Sequence, residues 1–520
     1  MRWLNLLSFF GIFAFCGIAW LTSENRRVIP WKTVLWGIGL QLILGALVFL
    51  VPVTRLAVLM LNDGVNAILD AIEAGARFVF GNILVPNPGQ VPGPTLAGRW
   101  IARAITPPYA PVPGDYLSPD SINLGYIFAF RALPSVIFFS ALMSLLYALG
   151  LIQPIVNVFA RLFRRTMGLS GAEALSGAAN IFVGIEAMLV VRPYLARMTR
   201  SEFCAILASC FGSIASTVLA LYAGFLRPEF PNITGHLVSA SIMAIPACFV
   251  MAKLIVPETE TPVTIGKVLE ERRLTTEGTP GNEAMTEEPV ATTTDVELAK
   301  DDYPPPTEVA PHPHLAPTVV HEEPAPISLM ESLIVGAIEG VKLAAAIAAL
   351  LIAVLGLIAL VNLFFGNLAS LITSKNYVLY NIGRAFQVIT LQNIAGALFL
   401  PLTFFTGVSV QWQELWQASV LIGQRLITTE VPSYQQLGVL SSQGLLSDRA
   451  LLVISYALCG FAHLPSVGIF VGGLVGLVPS RRQDIVDVGW KALWAATLAT
   501  LMIGAIAGTF DTGNPAILGK

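Results

Sequence analysis

Two glutamates lie inside otherwise apolar segments of this sequence. Glu186 ends the interruption 180–186 of one such segment, and Glu430 follows Thr428 and Thr429 in another. In a membrane, a carboxylate near the bilayer centre costs roughly 2.5 to 3.5 kcal/mol, so a ligand or partner must offset that cost. Carboxylate, amide and hydroxyl oxygens can accept hydrogen bonds from a polar solute or coordinate a hard cation. The two positions therefore predict a substrate site.

The composition indicates that these carboxylates belong to a membrane protein. Hydrophobic residues make up 55% of the 520 residues and charged residues only 12%, against about 25% charged residues in an average protein. Charge-free stretches such as 343–361 and 492–510 approach the roughly 20 residues that a helix needs to cross a bilayer. We expect an all-α polytopic membrane protein. A secondary transporter is favoured over an enzyme, because neither glutamate has a nucleophile or metal constellation beside it.

Apolar runs predict about eight transmembrane helices. They lie near residues 3–22, 32–53, 124–150, 203–226, 235–256, 331–363, 449–478 and 488–510. Segments 169–196 and 405–440 are ambiguous. If both are re-entrant, every short basic loop falls on the cytoplasmic side, as the positive-inside rule requires. Both termini are then external, and the expected location is the cell membrane, the inner membrane of a bacterium.

The two ambiguous segments resemble each other in design. Each has helix-forming ends around a polar interruption, and each is followed by two spans, so residues 169–256 and 405–510 form hairpin-helix-helix units of opposite orientation. Such inverted repeats are typical of secondary transporters, and irregular backbone at membrane depth marks a site. The helix after each segment is interrupted too, at 213–217 and 459–466. Four interruptions are therefore expected at one depth.

Three glycines continue the second interrupted helix at four-residue spacing. Gly468, Gly472 and Gly476 predict a face for close helix packing.

The rest of the chain is divided by composition. We assign N-terminal transmembrane helices to 1–53, an outer interfacial helix and loop to 54–121, a scaffold helix and cytoplasmic connection to 122–168, a scaffold helix and connection to 328–404, and a C-terminal tail to 511–520. Residues 257–327 hold 4 basic and 15 acidic residues and 12 of the 34 prolines. This composition predicts a disordered cytoplasmic insert whose deletion leaves transport intact. The spacing of His312, His314 and His321 fits no regular metal site.

Long stretches of the sequence resemble the concentrative nucleoside transporter family. RRTMGLSGAEALSGAANIFVG followed by EAMLVVRPYL is similar to its first hairpin, and FRALPSVIFFSALMSLLYALG to the preceding helix. The resemblance covers residues 65–510 except the insert. It implies a homotrimeric, cation-coupled importer of nucleosides with eight spans and two re-entrant hairpins.

The resemblance also implies a set of substrate-binding residues: Gly184, Ile185, Glu186, Val218, Thr429, Glu430, His463 and Ser466. Glu430 aligns with the glutamate that binds ribose hydroxyls. The family's base-reading G-Q-T-E-A-P is shortened here to Gly184-Ile185-Glu186-Ala187, without the Gln-Thr pair. His463 replaces a ribose-contacting asparagine, and could bond a sugar hydroxyl or add a titratable group.

For the coupling ion, the resemblance places sodium ligands at Asn180, Val183, Ser213 and Ile214. The alternative is that Asn180 only caps its half-helix. Proton coupling, with Glu186, Glu430 and His463 as carriers, is the other possibility. No cofactor and no nucleic-acid partner are expected.

Two other hypotheses compete with nucleoside import. The same fold could carry a modified nucleoside or another small polyol, since the base-reading contacts are altered. A membrane receptor or channel that does not transport is the alternative from a different class.

Overall fold

The computed structural model describes residues 3–81, 84–85, 127–265 and 328–520, and all regular secondary structure within them is helical. This confirms the all-α prediction for the described residues. The outer loop and most of the acidic insert, including its three histidines, lie outside them.

The helices fall into two groups separated by the insert. Before it lie α1 (Trp3–Leu21), α2 (Trp31–Phe49), α3 (Pro52–Phe80), α4 (Leu133–Ala148), α5 (Ile152–Met167), α6 (Gly171–Ala179), α7 (Arg200–Gly212), α8 (Ser216–Leu226) and α9 (Ile233–Ile255). After it lie α10 (Leu329–Ala369), α11 (Tyr377–Phe386), α12 (Leu391–Phe405), α13 (Trp412–Ile427), α14 (Glu430–Ser442), α15 (Asp448–Ala457), α16 (Leu464–Leu477) and α17 (Arg482–Phe510). A 3-10 helix, Ile185–Arg197, lies between α6 and α7.

Several of these helices could cross a membrane. Among the described residues, six helical segments are long and apolar enough, and α11 and α12 meet the same criterion together although they are bent by 67°. The predicted spans 203–226 and 449–478 are each divided into two shorter helices. Residues 377–405, expected within a connection, are largely helical. The count of eight crossings therefore remains a prediction.

Capping boxes begin the helices on both sides of the first broken segment (170–199). The Ser170 hydroxyl accepts a hydrogen bond from the backbone N–H of Glu173, whose carboxylate accepts one from the N–H of Ser170. Thr199 and Glu202 repeat this pattern at the start of α7. Each box satisfies two backbone donors that a helix start leaves unpaired. The Ser170 hydroxyl also donates to Glu202 Oε1 at 2.6 Å, so the two ends of the segment meet and the chain reverses between them.

The second broken segment (412–442) also folds back on itself. Its first half-helix, α13, ends at Ile427, and α14 begins at Glu430. The Ser433 hydroxyl donates to the carbonyl of Leu421 at 3.1 Å, which places the two half-helices side by side. Glu430 is therefore at the turn.

The two interrupted helices touch where they are broken. Gly460 lies in the break between α15 and α16 with φ of +140°, and a Cβ there would lie 2.7 Å from the carbonyl oxygen of Gly212, where α7 ends. Only glycine combines this backbone conformation with such close approach. The expected convergence of the interruptions is observed for this pair.

Helices α9 and α17 form the centre of the chain, whereas α10 lies at its edge. In α9 and in α17, 89% of the most apolar stretch is buried, whereas in α10 only 11% of that stretch is buried. Helix α10 packs closely on α4: a Cβ at Gly340 would lie 2.7 Å from the Cα of Ile137, and Gly336 is similarly close to Ala141. Two small residues four apart allow this approach of two backbones.

The glycine face predicted on α16 has no packing partner among the described residues. Within that part of the chain, no atom lies within 4 Å of a Cβ built at Gly468, Gly472 or Gly476. The buried side of α16 is formed instead by Ser466, Phe470, Val471 and Leu474. Four-residue spacing identifies a helix face but not what covers it.

A buried ionic cluster lies at the base of the first broken segment. Lys253 Nζ at the end of α9 is 2.5 Å from Glu173 Oε1 and 3.2 Å from Glu258 Oε2. Thr264 accepts hydrogen bonds from the backbone N–H groups of Gly171 and Ala172. The first residues of the predicted insert are thus anchored beneath α6. We refer to Lys253, Glu173, Glu202 and Glu258 as the Lys253 cluster.

Polar contacts show which parts of the chain lie near each end of α1. After its last residue, Glu24 accepts hydrogen bonds from Arg200 at 3.1 Å and from Lys491. At its start, Asn5 donates to the carbonyl of Asp511 at 2.8 Å. Both described termini therefore lie at one end of α1. Glu24, Arg200 and Lys491, from three of the short basic loops predicted to be cytoplasmic, lie at the other end.

Candidate functional site

Glu430 is the centre of a buried polar site. It is the first residue of α14, and only 3% of its surface is exposed. The hydroxyl of Tyr222, on α8, donates to Oε1 at 2.5 Å, and Nε2 of His463 lies 2.8 Å from Oε2. A carboxylate at a helix N-terminus is stabilised by the exposed backbone N–H groups and the helix dipole. The site thus joins elements from both halves of the chain.

His463 is the N-cap of α16, a role that the sequence reading did not foresee. Its Nδ1 accepts a hydrogen bond from the backbone N–H of Ser466 at 3.2 Å. An imidazole nitrogen that accepts carries no proton, so the neutral ring bears its proton on Nε2, which faces Glu430. In this conformation both ring nitrogens are engaged, one by the helix and one by Glu430.

Two hydroxyl side chains border the carboxylate. Thr429 Oγ1 is buried and has no hydrogen-bond partner among the described residues. The hydroxyl of Ser466 donates to the carbonyl of His463 at 2.7 Å and also contacts the carbonyl of Phe461. The oxygen of Ser466 can still accept, and Thr429 can both donate and accept.

Three residues around Glu430 complete this arrangement, and the sequence reading gave them no role. Tyr222 and Tyr434 are stacked, with ring centroids 4.6 Å apart and planes at 15°. Arg425 is fully buried, and its guanidinium donates to the carbonyl of Ala457 and the hydroxyl of Thr500. It thereby caps the end of α15 at the break. The presence of an arginine in an apolar segment could have marked Arg425 as a functional residue. No feature of the sequence around Tyr222 indicated its contact with Glu430.

The residues predicted to bind sodium surround two backbone breaks. Asn180 is fully buried; its amide nitrogen donates to Ser209 Oγ at 3.1 Å and Cys210 Sγ at 3.2 Å, while Oδ1 has no partner in the described chain. An orphaned buried carbonyl oxygen costs free energy unless a ligand or water satisfies it. Ser213 Oγ donates to the carbonyl of Ser209, so its lone pairs remain available to a cation.

The other predicted site residues lie on the elements that flank the two breaks. Val218 lies buried on the first turn of α8, and Val183 follows the C-cap of α6 by three residues. The carbonyl of Ile214 accepts a long hydrogen bond from Ser241 at 3.4 Å. Gly184 precedes the 3-10 helix, whose first two residues are Ile185 and Glu186. The side chains of those two residues lie outside the described part of the structure.

Comparison with known families identifies the chain over most of its length. Residues 236–508 match the family described as the C-terminus of Na+ dependent nucleoside transporters, and residues 10–83 match its N-terminal counterpart. Residues 129–229 match a domain described as nucleoside recognition.

Individual relatives agree with this assignment. The chain is 33% identical to an uncharacterized transporter of Haemophilus influenzae, with 97% of each chain covered. It is 30% identical to human solute carrier family 28 member 3, over 98% of this chain and 60% of the relative. It is also 30% identical to rat sodium/nucleoside cotransporter 1, over 97% of this chain and 63% of the relative.

Solved structures show the same fold. The inward-facing, substrate-bound structure of CNTnw matches with a TM-score of 0.71 and 31% identity, covering 98% of this chain and all of that one. A doubly substituted CNTnw in an outward-facing state matches with a TM-score of 0.72 and 30% identity, covering 98% and 99%. These relatives are transporters and not enzymes. The chain is thus an integral membrane protein that belongs to the concentrative nucleoside transporter family.

Proposed function

We propose that this protein imports nucleosides or closely related ribosides by sodium symport. The observation that carries the proposal is the buried carboxylate of Glu430 at the turn of the second broken segment, held between Tyr222 and His463. A buried charge of this kind is costly to maintain without a function. Its remaining acceptor capacity suits the hydroxyl groups of a sugar.

Sodium is favoured as the coupling ion by the unpartnered Oδ1 of Asn180. Hard cations take oxygen ligands, and Val183, Ser213 and Ile214 would supply carbonyl and hydroxyl oxygens beside it. One sodium ion moving through 100 mV provides about 2.3 kcal/mol, which sustains roughly a 50-fold substrate gradient.

The proposed arrangement has eight spans, two re-entrant hairpins and external termini, in a homotrimer in the bacterial inner membrane. The grouping of Glu24, Arg200 and Lys491 at the end of α1 remote from Asn5 and Asp511 supports this topology. A hairpin that enters and leaves on the same side keeps its ends together, and the Ser170–Glu202 contact does so. Movement of the hairpin units against the rest of the trimer would alternate access.

The decisive experiment is uptake by the purified protein in proteoliposomes. A sodium gradient should drive accumulation of at least one nucleoside in a broad panel, and Glu430→Gln should abolish it. If no nucleoside accumulates, or if the Gln variant transports normally, the proposal is wrong. Uptake of only a modified nucleoside or a polyol would retain the fold and change the substrate, and substrate-induced stabilisation without counterflow would indicate a receptor.

The coupling ion is tested on Asn180. Asn180→Ala should raise the sodium concentration needed for half-maximal uptake by about tenfold or more, since losing even an indirect partner of a bound metal commonly costs that much affinity. Asn393→Ala, which removes an amide bonded to the carbonyl of Val388, serves as the control and should behave as wild type. Sodium-independent uptake that follows an imposed pH gradient would instead establish proton coupling.

A further inference from the structure

Tyr222 connects the middle of the first repeat to the carboxylate of the second. It lies on α8, fully buried, and is separated from Glu430 by 208 residues of chain. Its hydroxyl donates to Oε1 at 2.5 Å, the length expected of a bond from a neutral hydroxyl to a charged carboxylate. Such bonds are about twice as strong as those between neutral groups.

The ring of Tyr222 is itself held in place. It stacks on Tyr434, one turn after Glu430 on α14, at a centroid distance of 4.6 Å. The hydroxyl of Tyr434 donates to the carbonyl of Ser455 at 2.7 Å, so the stack is anchored on α15. Neither ring can slide without breaking a buried hydrogen bond, and an unpaired buried polar group is costly.

Tyr222 and His463 together leave the carboxylate little freedom to rotate. One contacts Oε1 and the other Oε2. A carboxylate accepts about four hydrogen bonds, so roughly two acceptor positions remain, in an orientation that these two residues determine. Without the hydroxyl of Tyr222, Oε1 of Glu430 has no donor from that side chain, and the carboxylate can turn about its Cγ–Cδ bond.

We propose that Tyr222 is a positioning residue, which orients Glu430 so that its two remaining acceptor positions face the sugar hydroxyls of the substrate. The inference rests on the proposed function, because it assumes that Glu430 binds those hydroxyls. Tyr222 would then act on affinity for the sugar and not on the movement of the hairpin unit.

The test compares two identical chemical changes in proteoliposomes. Tyr222→Phe removes the hydroxyl at the site. Tyr456→Phe removes one from an equally buried tyrosine, whose partner is His236 at 2.8 Å. Uptake of uridine and of 2′,3′-dideoxyuridine is measured for each. We expect Tyr222→Phe to raise the KM for uridine about tenfold or more, because a carboxylate that is free to turn loses about one of its hydrogen bonds to the sugar. The maximal rate should be nearly unchanged.

The dideoxy analogue separates positioning from a structural role. Its KM should change less than about twofold in Tyr222→Phe, because it lacks the 2′- and 3′-hydroxyls that the ribose of uridine presents to Glu430. Tyr456→Phe should leave the ratio of the two KM values as in wild type. An equal loss for both substrates in Tyr222→Phe, or no loss for uridine, would overturn the proposal.

A second measurement distinguishes failure of this inference from failure of the proposed function. If the wild-type protein accumulates no nucleoside, the proposed function fails. The bond to Glu430 is then examined by a double-mutant cycle on thermal unfolding, with Tyr222→Phe, Glu430→Gln and the double variant. Non-additive losses show that Tyr222 holds Glu430 whatever the substrate, and additive losses overturn the positioning role.

Discussion

Lys253 offers the sharpest test of how the base of the first broken segment is held. The substitution Lys253→Met keeps most of the side-chain volume and removes the charge. Lys253 is 5% exposed and contacts Glu173, Glu258 and the hydroxyl of Ser201. Removing it leaves the carboxylates of the cluster in a buried environment without their cation.

The expected loss follows from that burial. Removing one partner of a buried ion pair typically costs about 3 to 5 kcal/mol, because the remaining charge is uncompensated. Lys342 makes a matched control, since it pairs with Glu339 at 2.7 Å but is 65% exposed. Exposed pairs of this kind contribute about 0.5 kcal/mol or less. Lys342→Met should therefore be close to wild type.

The assay is thermal unfolding in detergent, followed by tryptophan fluorescence. Lys253→Met should unfold well below wild type, because its carboxylate partners stay buried without a cation, and the double variant with Glu173→Gln should recover part of the loss. Equal stability of Lys253→Met and wild type, or no recovery in the double variant, would refute this account.

Three further predictions concern other parts of the chain. Replacing 266–327 by a flexible linker of equal length should preserve transport, whereas replacing 257–327 should reduce thermal stability and uptake, because it removes the contacts of Glu258 and Thr264. Gly340→Ala should lose about 1 to 3 kcal/mol of stability by forcing α10 away from α4. Gly472→Ala, whose Cβ would meet no atom of the described residues, should be neutral or slightly stabilising in unfolding assays. Burial acts to raise the pKa of Glu24, but the charges and hydrogen bonds of Lys491 and Arg200 outweigh it and hold that pKa below its usual value. The wild type should therefore be slightly more stable than Glu24→Gln at neutral pH, and this difference should be lost as the pH falls below about 4.5. Melting temperatures of both proteins, measured over an acid titration, would check this.

Local signals in the sequence predicted much of the architecture. Apolar runs define the helices that a membrane requires. The capping boxes at Ser170 and Thr199 were not among our predictions, although they follow a spacing of three residues that the sequence displays. The breaks predicted at 180–186 and 428–430 coincide with helix ends at Ala179 and Ile427. Each of these signals acts within about one helical turn, so it can be read without knowing what packs against the segment.

Contacts across the fold were decided only by tertiary structure. The sequence indicated Glu430 and His463 as site residues, but the tautomer of His463 depends on the N–H of Ser466 in a helix start, and Tyr222 reaches Glu430 from 208 residues away. Likewise, Gly340 and Gly472 occur in similar four-residue patterns, yet among the residues that the structure describes only Gly340 lies against another backbone. Periodicity specifies a face, whereas its partner depends on how all the helices pack together. The sequence by itself therefore determined that this chain is a helical membrane protein with charged breaks, and the packing of its two halves decided which side chains hold the carboxylate of Glu430.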